Sequence, residues 1–489
     1  MFGLFFHYDI MLEQIHKTSI RILEEVGIRI DDDQILSILK TNSVKLDGNI
    51  AFFTESQVET AISTAPADFT LQGRNARYCP CIGGSNTHYL AGYGAPHILE
   101  NKVPRKAVLE DYIKLAKLVH SIGEMSINGG ILVQPVDIPA DKFQLILLYT
   151  TVLFSDKALL GMPGSGRQQA EIMEFLKIVY DERALAEQPV IITLVNTTSP
   201  LILDPNLLQT LYVCAQHRQP VMISPAPMAG TTGPIGVAGN VALANAEILA
   251  TLTCAQTIAP GTPVVYGLMA QPANMQTCEI DPGSPGAVVG TTLCAKLAQH
   301  YGLPSRGGSA PNAREVSVLS GLESMMINLS ASNVGINLIV HAAGLLDRYN
   351  CMSPEQLLID VEIIRRLEYY KNFFAQDSLE SMDTIDFPEI KKVGPGGNFL
   401  SAMSTLKRCR TEPFLAQIQN DPANTSLSEN KAVIHNLRKQ IDQMLEAYHP
   451  PEIEAEKQSK MRDLLINFGV PVEVMDQIDH QYTKCLIDQ

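Results

Sequence analysis

Short apolar runs alternate along the middle of the chain with helix-length segments whose apolar residues recur every three or four positions. Each run ends in a small or polar cluster, and the runs begin at His88, Met125, Lys157, Pro189, Gln219, Thr262, Leu303 and Gly335. A strand followed by a helix, repeated about eight times, is typical of a closed parallel barrel. We therefore predict an α/β fold, a TIM (β/α)8 barrel, with the functional residues in the loops after the strands.

The two ends of the chain extend this predicted barrel. At 489 residues the chain is about twice the roughly 250 residues of a bare barrel. Helical spacing of apolar residues from Met11 to Val26 predicts an N-terminal helix, and turn residues within 44–84 predict short strands. A capping box at 353–356 starts another helix, and two polar helices are expected after Ser426. We predict three parts: an N-terminal helix and small β-rich appendage over 1–86, the barrel over 87–350, and a C-terminal helical extension over 351–489.

Charge and composition restrict the class of protein. A formal net charge of −15 argues against a nucleic-acid surface. No stretch reaches the roughly 20 uninterrupted apolar residues of a membrane helix, and the apolar start is too short for a signal peptide. Nine scattered cysteines, of which only Cys79 and Cys81 are close together, favour reduced thiols over a metal site. We expect a cytoplasmic protein with neither a nucleic-acid nor a membrane partner.

Two glycine clusters and three histidines invite a chemical interpretation. The clusters at 161–166 and 230–239 follow strands and precede helices, so their amides are candidates for anion binding, but neither has the other residues of a nucleotide fingerprint. Tight strand-to-helix turns are the favoured interpretation. His88, His97 and His341 lie at different strand ends without metal-ligand spacing, so no protein-ligated metal is predicted.

The predicted strand ends are almost free of charge, with Arg306 and His341 as the cationic candidates among Tyr, Asn, Ser, Thr, Gln and Met. Aromatic faces attract a cation and a guanidinium binds a carboxylate, so this lining suits a small cationic or zwitterionic substrate. No carboxylate stands at a strand end as a general base. Aldolase, enolase and hydrolase chemistries are therefore disfavoured.

Motifs spread over nearly the whole chain resemble the trimethylamine methyltransferase family. They are ILEEVGIRIDD (Ile22–Asp32), GRNARY (Gly73–Tyr78), GYGAPHILE (Gly92–Glu100), NTTSPL (Asn196–Leu201), SPAPMAGTTGPI (Ser224–Ile235), PSRGGS (Pro304–Ser309), HAAGLLD (His341–Asp347) and VGPGGNFL (Val393–Leu400). One departure is Asn398, where many members of the family have a histidine.

The resemblance implies a TIM barrel that moves a methyl group from a methylated amine to the cobalt of a corrinoid (cobalamin) carried by a partner protein. Archaeal members carry pyrrolysine in the barrel, whereas this chain has standard residues throughout. It is similar to the non-pyrrolysine branch, which uses quaternary amines such as glycine betaine, proline betaine or carnitine. A quaternary ammonium leaves as a neutral tertiary amine, so no general acid is required.

Under this hypothesis the aromatic faces for the ammonium come from tyrosines, Arg306 binds the substrate carboxylate, and His341 adds a hydrogen bond. The predicted substrate-binding residues are Tyr93, Asn128, Asn196, Tyr266, Arg306, His341 and Tyr349. Glycine betaine is the expected substrate and dimethylglycine the product, with a homo-oligomer expected from the outer helices of the barrel.

Two alternatives remain open from the sequence. One is a non-catalytic barrel that binds a betaine and a protein partner. The other is a methyltransferase of the same fold whose acceptor is tetrahydrofolate, which would need a carboxylate partner for the pterin ring.

Overall fold

The computed structural model describes residues 2–100, 103–269, 272–374, 386–418 and 429–487. Eight parallel strands occupy the middle of the chain at the predicted apolar runs. In chain order they are β1 (His88–Ala91), β2 (Ile127–Gly129), β3 (Ala158–Gly161), β4 (Ile191–Val195), β5 (Val221–Ile223), β6 (Val264–Tyr266), β7 (Arg306–Gly307) and β8 (Leu338–Ala343).

These strands form two parallel sheets. Strands β2 to β6 pair in chain order in a five-stranded sheet, and β7, β8 and β1 pair in a three-stranded sheet. An isolated parallel bridge between Tyr266 and Ser305 joins β6 to the segment before β7. The predicted α/β class is confirmed, while closure of the eight strands into one barrel stays a prediction.

A helix follows every one of these strands. In chain order the helices are α1 (Leu109–Ser121), α2 (Phe143–Phe154), α3 (Gly166–Tyr180), α4 (Pro205–Gln216), α5 (Val237–Ile258), α6 (Pro285–Tyr301), α7 (Val318–Val334) and α8 (Pro354–Phe373). Helix α7 begins only at Val318, eleven residues after the end of β7. Ser317 caps the helix, and the backbone N–H groups of Asn312 and Ala313 bind the Glu323 carboxylate instead of continuing it.

Side chains of the strands pack on one another to form an apolar centre. Strand residues of this cluster are Leu90, Ile127, Ala158, Leu160, Ile192, Leu194, Met222, Val265, Leu338 and Val340. A hairpin of strands Asp68–Thr70 and Cys81–Gly83 adds Phe69 and Ile82 to the same cluster. Because Asn337, just before β8, donates to the Gly84 and Asn86 carbonyls, this hairpin covers the amino-terminal ends of the strands.

The N-terminal region has the predicted helix and short strands. An α-helix over Phe2–Arg21 continues as a π-helix over Ile22–Val26 and ends at Gly27, whose φ of 76° favours glycine. Further helices lie at Asp33–Thr41 and Glu55–Thr64, with a 3-10 turn at Ala76–Tyr78. Strands Ile202–Leu203, Ile28–Ile30, Ile50–Phe52 and Lys45–Asp47 form a four-stranded sheet in that order.

The C-terminal region begins as predicted, because the Ser353 side chain accepts the Gln356 N–H and α8 starts at Pro354. Short helices follow at Phe387–Val393 and Met403–Arg408. Two helices were predicted after Ser426, but the described residues there form three: Glu429–Glu446, Ala455–Asn467 and Val472–Ile487. The last two are separated at Gly469, whose φ is 87°, and at Pro471. The boundaries at 86 and 350 stay predictions.

Helix α5 is the one described helix that is long and apolar enough to cross a membrane by length and composition alone. Its most apolar window is 83% buried inside the protein. Small polar side chains of this helix bond within the fold, as when Asn245 donates to Ser19 and Tyr301. Its apolar character is therefore explained by packing among other helices.

Candidate functional site

Arg306 is a buried cation at the beginning of β7, with 1% of its surface exposed. Its Nη1 donates to Ser224 Oγ at 2.9 Å, and that hydroxyl donates to the Gly267 carbonyl at 2.8 Å. Nε has no partner, and within the described ranges no carboxylate lies within ion-pair distance of the guanidinium. Burial lowers the pKa of Arg306 to about 10, so the group stays charged at neutral pH. A buried charge with spare donors is poised to bind an anion.

Two tyrosines lie close to this guanidinium and interact with it electrostatically: Tyr93 and Tyr349. The Tyr93 ring packs on Gly130, where an added Cβ would lie 2.7 Å from Cε2 of the ring. The Tyr93 hydroxyl is buried and has no partner among the described residues. Burial raises the pKa of Tyr93 well above its usual value, so the phenol stays neutral.

His341 lies between these groups in the left-handed region, with φ of 66°. Its Nδ1 accepts the Tyr93 backbone N–H at 3.3 Å. Burial, and then the charge of Arg306, holds the pKa of His341 well below 6.5, so the imidazole is neutral. A neutral ring that accepts at Nδ1 carries its proton on Nε2, which makes Nε2–H a donor.

Tyr349 is placed by an unusual turn in which Asp347, Arg348 and Tyr349 have φ of 49°, 54° and 72°. Left-handed non-glycine residues of this kind cost about 1–2 kcal/mol each and concentrate at functional sites. The turn sets the Tyr349 ring 5.0 Å from the His341 ring, nearly edge to face, and its hydroxyl 3.0 Å from Ser309 Oγ. Arg306, Tyr93, His341 and Tyr349 thus lie close together, while their role in substrate binding stays a prediction.

Asn196 follows β4 directly and has an exposed side chain. The preceding residue, Val195, accepts the Ser224 N–H at 2.8 Å through its carbonyl. Asn196 therefore lies on the loop next to the partner of Arg306, at the carboxyl-terminal ends of the strands.

Two predicted site residues, Asn128 and Tyr266, point away from this site. Asn128 donates to the Ala116 carbonyl of α1 at 3.0 Å. The Tyr266 hydroxyl donates to Asn245 of α5 at 2.8 Å, and its ring lies 5.9 Å from the Tyr301 ring of α6. Both side chains face the surrounding helices, so the prediction that they bind substrate is wrong.

The error follows from strand geometry. Successive side chains of a strand point to opposite faces, and Ile127 and Val265 belong to the apolar cluster of the strands. Their neighbours Asn128 and Tyr266 must therefore face outward. The pairing of Ser224 with Arg306 and of Ser309 with Tyr349 was also missed, because a hydroxyl after a strand has no distinctive spacing.

The glycine clusters at 161–166 and 230–239 form tight turns, which is the interpretation that the sequence favoured. Gly164 and Gly166 already donate their backbone N–H groups to the side chains of Thr210 and Gln209. Gly230 and Gly233 form a hydrogen bond with each other across their loop. Their amides are therefore occupied by groups of the protein.

The remaining candidates have ordinary partners. His88 contacts the Cys81 carbonyl through Nε2, and His97 contacts the Asn350 carbonyl through Nδ1. In the part of the chain that the structure describes, no three His, Cys, Asp or Glu side chains converge as metal ligands, and all nine cysteines are free thiols. Asn398 is exposed, and its side chain accepts the Leu400 N–H at 3.2 Å.

Comparison with known proteins places the chain among methyltransferases. A family model described as trimethylamine methyltransferase (MTTB) matches residues 7–467. The glycine betaine methyltransferase of Desulfitobacterium hafniense (strain Y51) is 34% identical over 95% of this chain and 98% of its own length. The proline betaine:corrinoid methyltransferase of Eubacterium limosum is 27% identical over 90% of this chain and 93% of its own. The crystal structure of the hydroxylamine MtmB complex is similar in fold, with a TM-score of 0.52 and 12% identity over 88% of this chain and 87% of that one.

Proposed function

The chain belongs to the trimethylamine methyltransferase family, and from this we propose that it transfers a methyl group from glycine betaine, or a closely related quaternary amine, to the Co(I) of a corrinoid carried by a partner protein. The product of glycine betaine is then dimethylglycine. The names of the relatives support this function over a non-catalytic binder or a tetrahydrofolate-dependent enzyme.

The main support for the proposal is the buried guanidinium of Arg306. Its guanidinium is 1% exposed, donates to Ser224 and keeps Nε without a partner. A substrate carboxylate supplies the missing negative charge and acceptor oxygens, and a charge-assisted hydrogen bond of this kind contributes about 1.5–3 kcal/mol. The Nε2–H of neutral His341 is a second donor for the same carboxylate.

The trimethylammonium end of the substrate is bound by the rings of Tyr93 and Tyr349. Each aromatic face contributes about 0.5–1 kcal/mol, rising to about 2 kcal/mol when water is excluded. A carboxylate between the ammonium and Arg306 keeps the two positive charges apart. The site therefore fits a zwitterion better than a simple cation.

The chain's own residues act by orientation. When the partner is bound, its corrinoid supplies the Co(I) nucleophile. The leaving group is a neutral tertiary amine, so no proton has to reach the nitrogen, and a neutral His341 is consistent with that chemistry. The residues hold the methyl donor with one methyl group directed toward the carboxyl-terminal ends of the strands. This fixed orientation lowers the activation barrier, and the effect is large when the reactants are well oriented.

We also propose that the two parallel sheets close into one (β/α)8 barrel whose open end receives the partner. The bridge between Tyr266 and Ser305 and the single apolar cluster drawn from both sheets support closure. A cytoplasmic location and self-association are part of the same proposal, the location supported by nine free thiols.

The proposal is tested with purified protein, free cob(I)alamin and glycine betaine, by following methylcob(III)alamin absorbance. We expect methyl transfer from glycine betaine and formation of one equivalent of dimethylglycine. Trimethylamine is the control, and it should react far more slowly for two reasons: it has no carboxylate to pair with Arg306, and its free base has no positive charge on nitrogen, so it cannot leave as a neutral amine without an added proton. Equal rates with the two amines, or no transfer from any betaine, would contradict the proposal.

A further inference from the structure

We propose that Glu247 of α5 is a positioning residue that fixes the loop after β4, and with it Asn196, beside the substrate carboxylate. This inference rests on the proposed function, because it concerns the same site. Glu247 was not among the residues that the sequence suggested, since it lies in the middle of a helix and far from any strand end in sequence.

The Glu247 carboxylate gathers three donors from one short loop. Oε2 accepts the hydroxyl groups of Thr197 and Ser199, the latter at 2.8 Å. Oε1 accepts the backbone N–H of Leu201 at 2.9 Å. Glu247 has 0% of its surface exposed, so these three donors take the place of water around the charge.

The charge of the Glu247 carboxylate is also stabilised by the loop that it binds. Burial raises the pKa of Glu247 above 4.5, whereas the bonds from Thr197, Leu201 and Ser199 lower it. No cation pairs with Glu247 among the ion pairs of the described residues. The loop itself is therefore the group that compensates the buried carboxylate.

The far end of the loop has further anchors besides the bond from Leu201 to Glu247. Thr198 and Ile202 exchange two backbone hydrogen bonds across a tight turn, in which Leu201 has φ of 58°. Strand Ile202–Leu203 then pairs with strand Ile28–Ile30 of the N-terminal region. The near end, at residues 196 and 197, has Glu247 as its side-chain anchor through the Thr197 hydroxyl.

The near end borders the site. The Val195 carbonyl accepts the Ser224 N–H at 2.8 Å, and Ser224 Oγ accepts from Arg306. Asn196 thus directly follows Val195, the last residue of β4, which binds Ser224, the partner of Arg306. If the Thr197 hydroxyl loses its acceptor, Asn196 is released from a fixed position next to the carboxylate-binding group.

Three substitutions test this anchor. Glu247→Gln keeps the shape but turns an amide group toward donors, which leaves at least one of them unpaired. Thr197→Val removes one hydroxyl from the loop and leaves the carboxylate in place, whereas Thr197→Ser keeps the hydroxyl. Thr198→Val is the matched control, because the Thr198 hydroxyl contacts Asp204 and not Glu247.

The readouts are KM and kcat for glycine betaine with free cob(I)alamin, and amide hydrogen exchange of the 195–202 segment. We expect Glu247→Gln and Thr197→Val to raise KM about tenfold while kcat stays within about twofold and exchange in the segment increases. Thr197→Ser should restore both values, and Thr198→Val should leave KM unchanged.

The outcomes separate the two proposals. Equal KM values for Thr197→Val and Thr198→Val in an active enzyme would overturn the role of Glu247, even if Glu247→Gln fails to fold. Unchanged exchange in the 195–202 segment of Thr197→Val would overturn it as well. A wild-type protein that transfers no methyl from any betaine would overturn the proposed function, and a loosened loop in that case would leave Glu247 as an anchor of structure only.

Discussion

Two buried cations, Lys157 and Arg306, lie toward opposite ends of the parallel strands and are treated differently by the fold. Each has 1% of its surface exposed. Lys157, just before β3, donates to the carbonyls of Val119 and Ile122 at 2.7 and 2.6 Å, and its ammonium lies 4.8 Å from the centre of the Tyr78 ring. Arg306 donates to one hydroxyl and retains an Nε without a partner.

The difference separates a cation that stabilises the fold from one that, under the proposed function, binds the substrate carboxylate. The Lys157 Nζ donates to the last carbonyls of α1, which have no N–H partner within the helix. Burial lowers the pKa of Lys157 to about 7, whereas that of Arg306 falls only to about 10. Arg306 therefore keeps its charge at neutral pH, and its hydrogen-bonding capacity is left for a ligand.

The largest expected effect on stability comes from Lys157→Met. Two buried carbonyls lose their donor, which should lower the free energy of unfolding by about 3 kcal/mol at pH 8. KM for glycine betaine should not change. Chemical denaturation followed by circular dichroism measures the first value, and Lys177→Met, which removes a partly exposed pair with Glu174, is the control.

The pH dependence of this difference has a defined sign. Between pH 7 and 10.5 the unfolded chain binds more protons at Lys157 than the folded protein, so wild-type stability rises with pH relative to Lys157→Met. The slope should not exceed about 1.4 kcal/mol per pH unit. A difference that shrinks as the pH rises from 7 to 9 would contradict the assignment of Lys157.

A second pH effect is expected at His341, beside Arg306. Because its folded-state pKa lies well below 6.5, the unfolded chain binds the extra proton first as the pH falls, and stability is lost below about pH 6.5. His341→Asn tolerates the left-handed backbone and does not titrate. Denaturation at pH 7.5 and 5.5 should show a steeper loss in the wild type; equal losses would mean that His341 is not buried beside a charge.

Some features of the fold and of the site could be predicted from the sequence, and others could not. The strands, the helix after each strand and the grouping of Arg306 with Tyr93, His341 and Tyr349 follow from apolar runs and strand ends. The direction of a strand-end side chain does not, because one position of register reverses it, as at Asn128 and Tyr266. The fixed left-handed turn at 347–349 also escapes prediction, since contacts with distant loops hold it: Asp347 and Arg348 donate their N–H groups to the carbonyls of Ala313 and Pro311.

Arg306 and Lys157 each lie near a tyrosine, Tyr349 and Tyr78, and the two tyrosines should differ in the same way as the cations. Tyr349→Leu should raise KM for glycine betaine about fivefold by removing one cation face worth about 1 kcal/mol. Tyr78→Leu removes the ring over Lys157 and should lower stability by a similar amount without raising KM. Steady-state kinetics and thermal unfolding of both variants check the pair. An unchanged KM in Tyr349→Leu would remove this tyrosine from the site.

No effect on substrate binding, and only a small one on stability, is expected at Tyr266, the residue that faces the helices. Tyr266→Phe removes one hydrogen bond to Asn245, which should lower the free energy of unfolding by about 1 kcal/mol. KM and kcat should match those of the wild type. An increase in KM with glycine betaine, measured at unchanged stability, would show that Tyr266 contacts the substrate after all.

The most direct measurement is the affinity of the wild type, Arg306→Lys and Arg306→Ala for glycine betaine and for choline, which lacks the carboxylate, by titration calorimetry. The affinity for glycine betaine should fall in Arg306→Lys, because a point charge replaces a planar fork, and fall further in Arg306→Ala, by about 10- to 150-fold. Choline binding should change far less. Equal losses for the two ligands, or an unfolded Arg306→Ala protein, would show that Arg306, like Lys157, stabilises the fold and does not bind the substrate.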